Sequence, residues 1–156
     1  MITCSIPGFA DLTLSHLVLD YNGTLALDGT PLPGVRQRLE ALAQELSIHV
    51  VTADTFGRAA EALDDWPVFL TILMPGDEAV QKETYVHTLG APSVVAIGNG
   101  RNDGRMLGAA GVGISVLGPE CAASPTLLSA DVVAPDIGAA LDLLKHPDRL
   151  KATLRV

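Results

Sequence analysis

Aromatic side chains are scarce in this sequence, at 4% of its 156 residues, and charged side chains make up only 18%. Few charges combined with 48% hydrophobic residues exclude a disordered chain. No uninterrupted apolar stretch is long enough to cross a membrane as a helix. Basic residues number 10 against 18 acidic ones, and the net charge of −8 argues against nucleic acid or an acidic membrane surface as a partner.

Cysteine occurs only as Cys4 and Cys121, which match no metal-binding or redox spacing. We therefore expect reduced thiols in a cytoplasmic protein. Residues 1–10 lack the basic region and the long apolar run of a signal peptide. There is also no Gly-x-x-x-x-Gly-Lys-Ser/Thr loop for a nucleotide. The length fits one domain with a sizeable core, which we expect to span residues 1–156.

Apolar runs typical of strands alternate with helical patterns along most of the chain. The predicted strands are residues 2–6, 12–19, 48–51, 67–73, 94–97, 112–116 and 131–134. The predicted helices are residues 35–46, 56–63, 77–89, 105–110, 137–144 and 147–154, with a partly helical stretch at 119–130. This alternation predicts an α/β fold whose mainly parallel sheet is covered on both faces. We expect the first strand to pair antiparallel at a sheet edge.

A hairpin signal follows the strand that ends at residue 19. The dipeptide Asp28-Gly29 lies between two short apolar arms, as in a tight β-turn. We therefore predict a small flap hairpin at about residues 25–33, directly beyond Asp20. Its apolar side chains lie close to the edge of the predicted sheet, where they either pack inward or form a subunit contact.

Polar residues close three of the predicted strands. Asp20 follows the strand at 12–19, Thr52 follows the next strand, and a glycine-rich run begins at Gly98. Because the carboxyl ends of parallel strands lie at one edge of a sheet, these residues should converge. Lys82 lies in the predicted helix at residues 77–89, and its side chain could reach the same edge of the sheet. It is the only lysine before Lys145.

Such a set of residues suits phosphoryl transfer. A carboxylate can attack phosphorus and form an aspartyl phosphate, while a hydroxyl and an ammonium group hold the phosphoryl oxygens. A magnesium ion prefers hard oxygen ligands and would neutralise the charge that keeps an anionic nucleophile from an anionic phosphate. Taken singly, Asp20 also fits a plain strand stop, since Asp commonly ends strands.

Four short motifs, in this order, resemble those of the haloacid dehalogenase (HAD) superfamily. They are Asp20-Tyr21-Asn22-Gly23-Thr24, Thr52, Lys82 and Gly98-Asn99-Gly100-Arg101-Asn102-Asp103-Gly104-Arg105-Met106-Leu107. Within the superfamily, the chain is similar to the small soluble P-type ATPase-like phosphatases. The resemblance implies a Rossmann-like three-layer α/β/α sandwich and an Mg²⁺-dependent phosphohydrolase that acts on a phosphorylated substrate.

The resemblance also implies residue roles by position. Asp20 is the implied nucleophile, and Asn22 is implied to offer its backbone carbonyl to the metal. The four implied catalytic positions are Asp20, Asn22, Thr52 and Lys82. The residues implied to bind phosphate are Gly23, Thr52, Ala53 and Lys82. The implied ligands of Mg²⁺ are Asp20, Asn22, Asn99 and Asp103.

Two positions depart from the family pattern. Asn22 stands where HAD phosphatases have a second Asp, the general acid and base, and an amide cannot exchange a proton near neutral pH. Asn99 stands where the family usually has a metal-binding Asp, so we expect a weaker metal site. These changes leave open a slow phosphatase, a long-lived phosphoaspartate, or an impaired module that binds a phospho-ligand or a partner protein.

The two places where HAD enzymes insert a cap domain are short in this chain. Residues 25–33 accommodate only the flap hairpin, and residues 55–81 accommodate one helix and one strand. We therefore expect an open site without a cap. Since capless relatives act on large substrates or use a neighbouring subunit as a cover, the resemblance is also consistent with a homo-oligomer.

Overall fold

The computed structural model describes residues 1–156, which form ten strands and seven helices. The strands are β1 (Ile2–Ile6), β2 (Ala10–Leu14), β3 (His16–Leu19), β4 (Ala26–Leu27), β5 (Thr30–Pro31), β6 (Ser47–Thr52), β7 (Phe69–Ile72), β8 (Val94–Gly98), β9 (Val112–Val116) and β10 (Val132–Ala134). The helices are α1 (Val35–Leu42), α2 (Ala59–Ala62), α3 (Glu78–Thr88), α4 (Gly104–Ala109), α5 (Ser124–Ser129), α6 (Ile137–Lys145) and α7 (Pro147–Leu154). No helix combines the length and the apolarity that a membrane crossing requires.

A six-stranded sheet forms the middle layer, with the strand order β10-β9-β8-β3-β6-β7. Every neighbouring pair in it is parallel. Strands β3 and β8 lie side by side, with Leu19 opposite Ile97. The segments that follow β3, β6 and β8 therefore leave the sheet at one edge, as expected from their sequence.

Alternate residues of the strands point to opposite faces of the sheet. Leu17 and Leu19 belong to a large apolar cluster with α1 and α6, whereas Val18 belongs to a smaller cluster with α3 and α4. Side chains of a strand alternate in this way, and burial on both faces explains why the central strands are apolar throughout. The predicted α/β/α sandwich with a Rossmann-like parallel sheet is confirmed, and the sheet is parallel in all its pairs.

The single strand predicted at residues 12–19 is wrong, because the chain changes partners at Ser15. Leu14 pairs with Ile2 in an antiparallel hairpin. The Ser15 N–H donates instead to the carbonyl of Ser93, directly before β8, and the Ser15 carbonyl accepts from the N–H of Ser47 in β6. Strands β1 and β2 thus form a separate two-stranded sheet and do not extend the edge of the main sheet. Alternating burial in β2, against continuous burial in β3, marks the change.

Two helices are shorter than predicted by about a full turn. Helix α1 ends at Leu42 rather than at residue 46. Helix α2 begins at Ala59 rather than at residue 56, because the Asp54 carboxylate accepts hydrogen bonds from the N–H groups of Arg58 and Ala59. Asp54 thereby links the end of β6 to the start of α2 and keeps residues 55–58 in a turn.

The two insertion points hold no cap. Strands β4 and β5 form the predicted flap hairpin around Asp28-Gly29, and the Gly29 carbonyl accepts a hydrogen bond from the buried Tyr21 hydroxyl at 2.9 Å. Between β6 and α3 the chain forms only α2 and the edge strand β7. The sheet edge beyond β3 and β6 therefore lies open, as expected for a capless protein.

A histidine cluster outside the predicted site gives a pH-dependent stability. His49 Nε2 lies 3.2 Å from His16 Nδ1, and His49 Nδ1 lies 3.0 Å from the Tyr85 hydroxyl. Burial, with a smaller effect of the His16 charge, lowers the pKa of His49 from 6.5 to about 4. The unfolded chain therefore takes up a proton that the folded protein excludes as the pH falls below 6.5.

We expect the free energy of unfolding to decrease on acidification by on the order of 1 kcal/mol between about pH 7 and about pH 5 because of His49, after allowance for solvent screening. Urea unfolding of the wild type and of His49→Gln at both pH values measures this contribution. His87→Gln, at an exposed histidine, is the control and should behave like the wild type. Equal pH slopes for wild type and His49→Gln would show that His49 does not titrate as described.

Candidate active site

Asp20 lies immediately after β3, at the carboxyl edge of the sheet. Its N–H donates to the Ile97 carbonyl at 3.0 Å, which continues the pairing of β3 with β8 by one residue. This bond holds the Asp20 backbone in the sheet while its side chain turns out of the edge. Asp20 is only 7% exposed, so a charge at this position needs a partner.

Lys82 is the partner of Asp20. Its Nζ donates to Asp20 Oδ1 at 2.6 Å and to Asp103 Oδ1 at 2.7 Å, and the residue is completely buried. Lys82 and Val86 are the buried residues of helix α3. They lie one turn apart, so Lys82 is on the face of the helix that points inward. The Asp77 carboxylate caps this helix by accepting from the Val80 N–H. Lys82 is thus an internal charge rather than a surface lysine.

Asp103 is held by the loop that follows β8. Its Oδ2 accepts from the N–H groups of Asn99 and Gly100 at 3.0 and 2.8 Å, while Oδ1 binds Lys82. Gly98 allows this approach, since a Cβ at that position would lie 2.5 Å from Asp103 Cγ. Both carboxylate oxygens of Asp103 are therefore engaged within the protein.

The buried charges around Lys82 shift the pKa values of Asp20 and Lys82. Burial raises the pKa of Asp20 from 3.8 to about 6, and the charge of Asp103 adds to this rise while Lys82 opposes it. Burial alone would lower the pKa of Lys82, but the charges of Asp20 and Asp103 outweigh it and raise that pKa above its usual value. At neutral pH Lys82 is therefore charged and Asp20 is largely ionised.

A cavity of about 210 Å³ opens beside Asp20. Its lining is almost entirely polar and consists of Asp20, Asn22, Thr52, Ala53, Thr55, Glu78, Asn99, Gly100, Asn102 and Glu120. Lys82 lies behind Asp20 and contributes no surface to the cavity. A small, hydrophilic group fits this space better than an apolar ligand.

The predicted phosphate-binding residues differ in whether they have a free hydrogen-bond donor. Thr52 Oγ1 accepts from the Asp54 N–H at 3.0 Å, which leaves its own hydrogen free to donate into the cavity. The Ala53 N–H donates to no group in the protein. The Gly23 N–H already donates to the Ala26 carbonyl at 2.8 Å. Gly23 could bind phosphate only by giving up this bond.

The oxygen atoms around Asp20 fit a magnesium ion with few charged ligands. No three His, Cys, Asp or Glu side chains are grouped to hold a metal ion. However, Asp20 Oδ2 and Asn99 Oδ1 lie 3.2 and 3.3 Å from the same Thr24 hydroxyl, which has one hydrogen for both. Asn22 Oδ1 is buried without any hydrogen-bond partner. Magnesium commonly takes one or two carboxylates and completes its shell with water and phosphate.

The structure brings together all eight residues predicted from the sequence, and it adds others to the same place. Thr24 belongs to the first motif, but its position between Asp20 and Asn99 follows only from the folded loop. Glu78 lines the cavity and accepts from Asn102 Nδ2 at 2.6 Å. Glu120 follows β9, so the same rule about strand ends could have identified it.

Comparison with known sequences finds relatives but no protein-family model that matches the chain. The uncharacterized protein MJ0073 of Methanocaldococcus jannaschii is 55% identical over 62 residues, which cover 40% of this chain and 67% of MJ0073. A second uncharacterized protein of the same organism, MJ0072, is 44% identical over 39 residues, covering 25% of this chain and 89% of MJ0072.

Comparison with solved structures finds HAD phosphatases of the same fold. The 3-deoxy-D-manno-octulosonate 8-phosphate phosphatase of Moraxella catarrhalis, solved with magnesium, phosphate and KDO, has a TM-score of 0.64 and 17% identity, over 91% of this chain and 87% of that one. An apo phosphoserine phosphatase has a TM-score of 0.63 and 14% identity, over 86% of this chain and 99% of that one. The chain therefore belongs to the same protein family as MJ0073, and it has the capless fold of the HAD superfamily.

Proposed function

We propose that the protein is an Mg²⁺-dependent phosphohydrolase that uses Asp20 as its nucleophile. One observation carries this proposal: the buried Lys82 ammonium holds the Asp20 carboxylate at 2.6 Å beside a polar cavity that Thr52 and Ala53 line. A purely structural ion pair would not need a cavity next to it. The phosphatases that share the fold support the same chemistry.

In the first step, a carboxylate oxygen of Asp20 attacks the phosphorus of a phosphomonoester. The new O–P bond forms as the bond to the leaving oxygen breaks, and the leaving group keeps that electron pair. The Thr52 hydroxyl and the Ala53 N–H have hydrogens free to hold the phosphoryl oxygens. The Lys82 ammonium fixes the orientation of Asp20 through the hydrogen bond to Oδ1.

Asp20, Asn22 and Asn99 would hold the magnesium ion, with water and substrate phosphate as its other ligands. When bound, the ion neutralises negative charge on the nucleophile and the phosphate. The magnesium and phosphate in the Moraxella catarrhalis phosphatase support this choice of metal. Asp103, also predicted as a ligand, is completely buried and does not line the cavity, so it would have to move to reach the ion.

Asn22 limits the rate of two steps: the attack of Asp20 on the substrate and the later hydrolysis of the aspartyl phosphate by water. It carries no proton for the leaving oxygen and cannot take one from the water that hydrolyses the aspartyl phosphate. We therefore infer slow turnover, with a preference for leaving groups that are stable as anions, such as p-nitrophenolate. The open cavity and its polar lining suit a small phosphorylated group at the surface of a larger substrate.

Asn22→Asp should raise Mg²⁺-dependent hydrolysis of p-nitrophenyl phosphate by on the order of 10²-fold, because it supplies the missing acid and base. Rates are measured by p-nitrophenolate release, with magnesium and with EDTA, and EDTA should abolish both the wild-type and the variant signal. Asn102→Asp is the matched control, since it adds a carboxylate to the same cavity outside the first motif.

Equal rates for Asn22→Asp and the wild type, with both proteins folded, would contradict the assigned role. If neither protein hydrolyses the ester but both bind inorganic phosphate, the impaired phospho-ligand module becomes the better description. The amide at position 22 favours that second candidate, because it can contact a bound ligand but cannot transfer a proton.

A further inference from the structure

We propose that Glu120 is the second carboxylate of the metal site and supplies the negative charge that Asn99 lacks. The inference rests on the proposed function, since it concerns the cation that would accompany Asp20. Glu120 lies in the segment between β9 and α5, and its side chain lines the same cavity as Asp20 and Asn99. Two carboxylates and amide oxygens in one cavity form a better magnesium site than Asp20 alone.

Glu120 and Asn99 approach each other above the backbone of Gly23. A Cβ added at Gly23 would lie 2.6 Å from Asn99 Nδ2, 2.7 Å from Glu120 Oε2 and 2.9 Å from Asn99 Oδ1. The same amide oxygen is 3.3 Å from the Thr24 hydroxyl, which in turn is 3.2 Å from Asp20 Oδ2. Oxygen atoms from Asp20, Asn99 and Glu120 thus gather around the first-motif loop.

The Asn99 amide is fixed with its oxygen toward this group. Its Nδ2 donates to the Cys121 carbonyl at 2.8 Å, and a carbonyl can only accept. An Asp at position 99 would place a carboxylate oxygen against that carbonyl. The amide at position 99 therefore has a bond of its own to the Cys121 carbonyl and brings no charge to a cation, so that charge has to come from another residue.

Several of the gathered oxygens lack a donor. Glu120 forms no ion pair, and its carboxylate accepts no hydrogen bond from any group in the protein. Asn22 Oδ1, in the same cavity, is buried without a partner. The Thr24 hydroxyl has only one hydrogen for Asp20 Oδ2 and Asn99 Oδ1. Acceptors with too few hydrogens between them repel one another, and a bound cation reduces this repulsion.

The loop that carries Glu120 is anchored to the site. The Ala123 N–H donates to the Asn99 carbonyl at 2.9 Å, and the Gly118 N–H donates to Pro135 at 3.1 Å. Gly118 also packs on the first-motif loop, since a Cβ there would lie 3.1 Å from the Gly23 carbonyl oxygen. Glu120 is therefore held at the cavity by its neighbours in the loop, although its side chain is exposed.

The test is Mn²⁺ binding to the full-length protein, measured by electron paramagnetic resonance and by displacement with Mg²⁺. Manganese serves as the probe because it prefers the same oxygen ligands as magnesium. Glu120→Gln should weaken Mn²⁺ binding at least roughly ten-fold, the loss expected when a carboxylate is removed from a metal site. Glu61→Gln, an exposed residue of α2 with the same charge change, should bind as the wild type does.

Glu78→Gln distinguishes direct binding of the ion by a carboxylate from the effect of the cavity's negative charge. Glu78 lines the same space, but its carboxylate accepts a hydrogen bond from Asn102. Glu78→Gln should have the smaller effect. Unchanged Mn²⁺ affinity in Glu120→Gln, or an equal loss in Glu78→Gln, would overturn the inference about Glu120. A wild type that hydrolyses p-nitrophenyl phosphate through Asp20 leaves the proposed function intact in those cases, whereas a wild type that neither binds Mn²⁺ nor hydrolyses overturns both.

Discussion

Asp20→Asn should lower the hydrolysis of p-nitrophenyl phosphate by about 10³-fold or more, because an amide cannot form the covalent bond to phosphorus. The variant should remain folded. Asparagine keeps the shape of the side chain, and Lys82 retains its bond to Asp103 at 2.7 Å. The loss therefore reports on the chemical step and not on the stability of the fold.

Asp11→Asn is the matched control for Asp20→Asn. Asp11 is an exposed carboxylate on β2, and its removal changes the net charge by the same amount. The control should hydrolyse at the wild-type rate, and circular dichroism melting should give similar transitions for the three proteins. Equal hydrolysis by Asp20→Asn and wild type would remove Asp20 from the mechanism.

Lys82→Met should reduce the free energy of unfolding by about 3–5 kcal/mol, the usual cost of leaving a buried charge without its partner. Asp20 is 7% exposed and Asp103 is completely buried, so neither carboxylate can recover the lost interaction from water. Without Lys82, whose charge opposes the rise in the pKa of Asp20, the Asp20 carboxylate favours protonation in the folded state still more. The loss of stability should consequently be smaller at about pH 5 than at about pH 7.

Guanidinium chloride unfolding measures this loss, with Lys145→Met as the control. Lys145 is exposed, and its Nζ lies 3.8 Å from Asp142, so the control should change stability by less than about 1 kcal/mol. The double variant Lys82→Met/Asp103→Asn should recover part of the loss, because it removes one of the unpaired charges. A Lys82→Met protein as stable as Lys145→Met would contradict the buried triad.

The sequence predicts most of the main sheet because its strands are buried on both faces. The apolar run at residues 112–116 and the strand β9 coincide, and the Asp28-Gly29 turn gives the flap hairpin. The change of partners at Ser15 was not predictable from the apolar pattern. Leu12 and Leu14 are apolar like the residues of β3, and only the tertiary pairing with β1 assigns them to another sheet.

Some residues of the candidate site were likewise predictable from the sequence, and others were not. Asp20 and Thr52 were predictable since each ends a buried strand, and Lys82 because it begins a turn of a predicted helix near that edge. The contacts of Asp103 were not predictable, because they depend on how the loop after Gly98 folds back onto Lys82. The rule about strand ends points to the segment after β9 that carries Glu120, but the approach of Glu120 to Asn99 depends on how that loop packs on Gly23.

The central claim is that Asp20 accepts the phosphoryl group, and a crystal soaked with magnesium and beryllium fluoride tests it most directly. We predict beryllium fluoride bonded to an Asp20 carboxylate oxygen, with Thr52 and Ala53 contacting fluorine atoms and Lys82 still bound to Asp20. Beryllium fluoride bound to another residue, or a cavity without it at saturating magnesium and fluoride, would contradict the account.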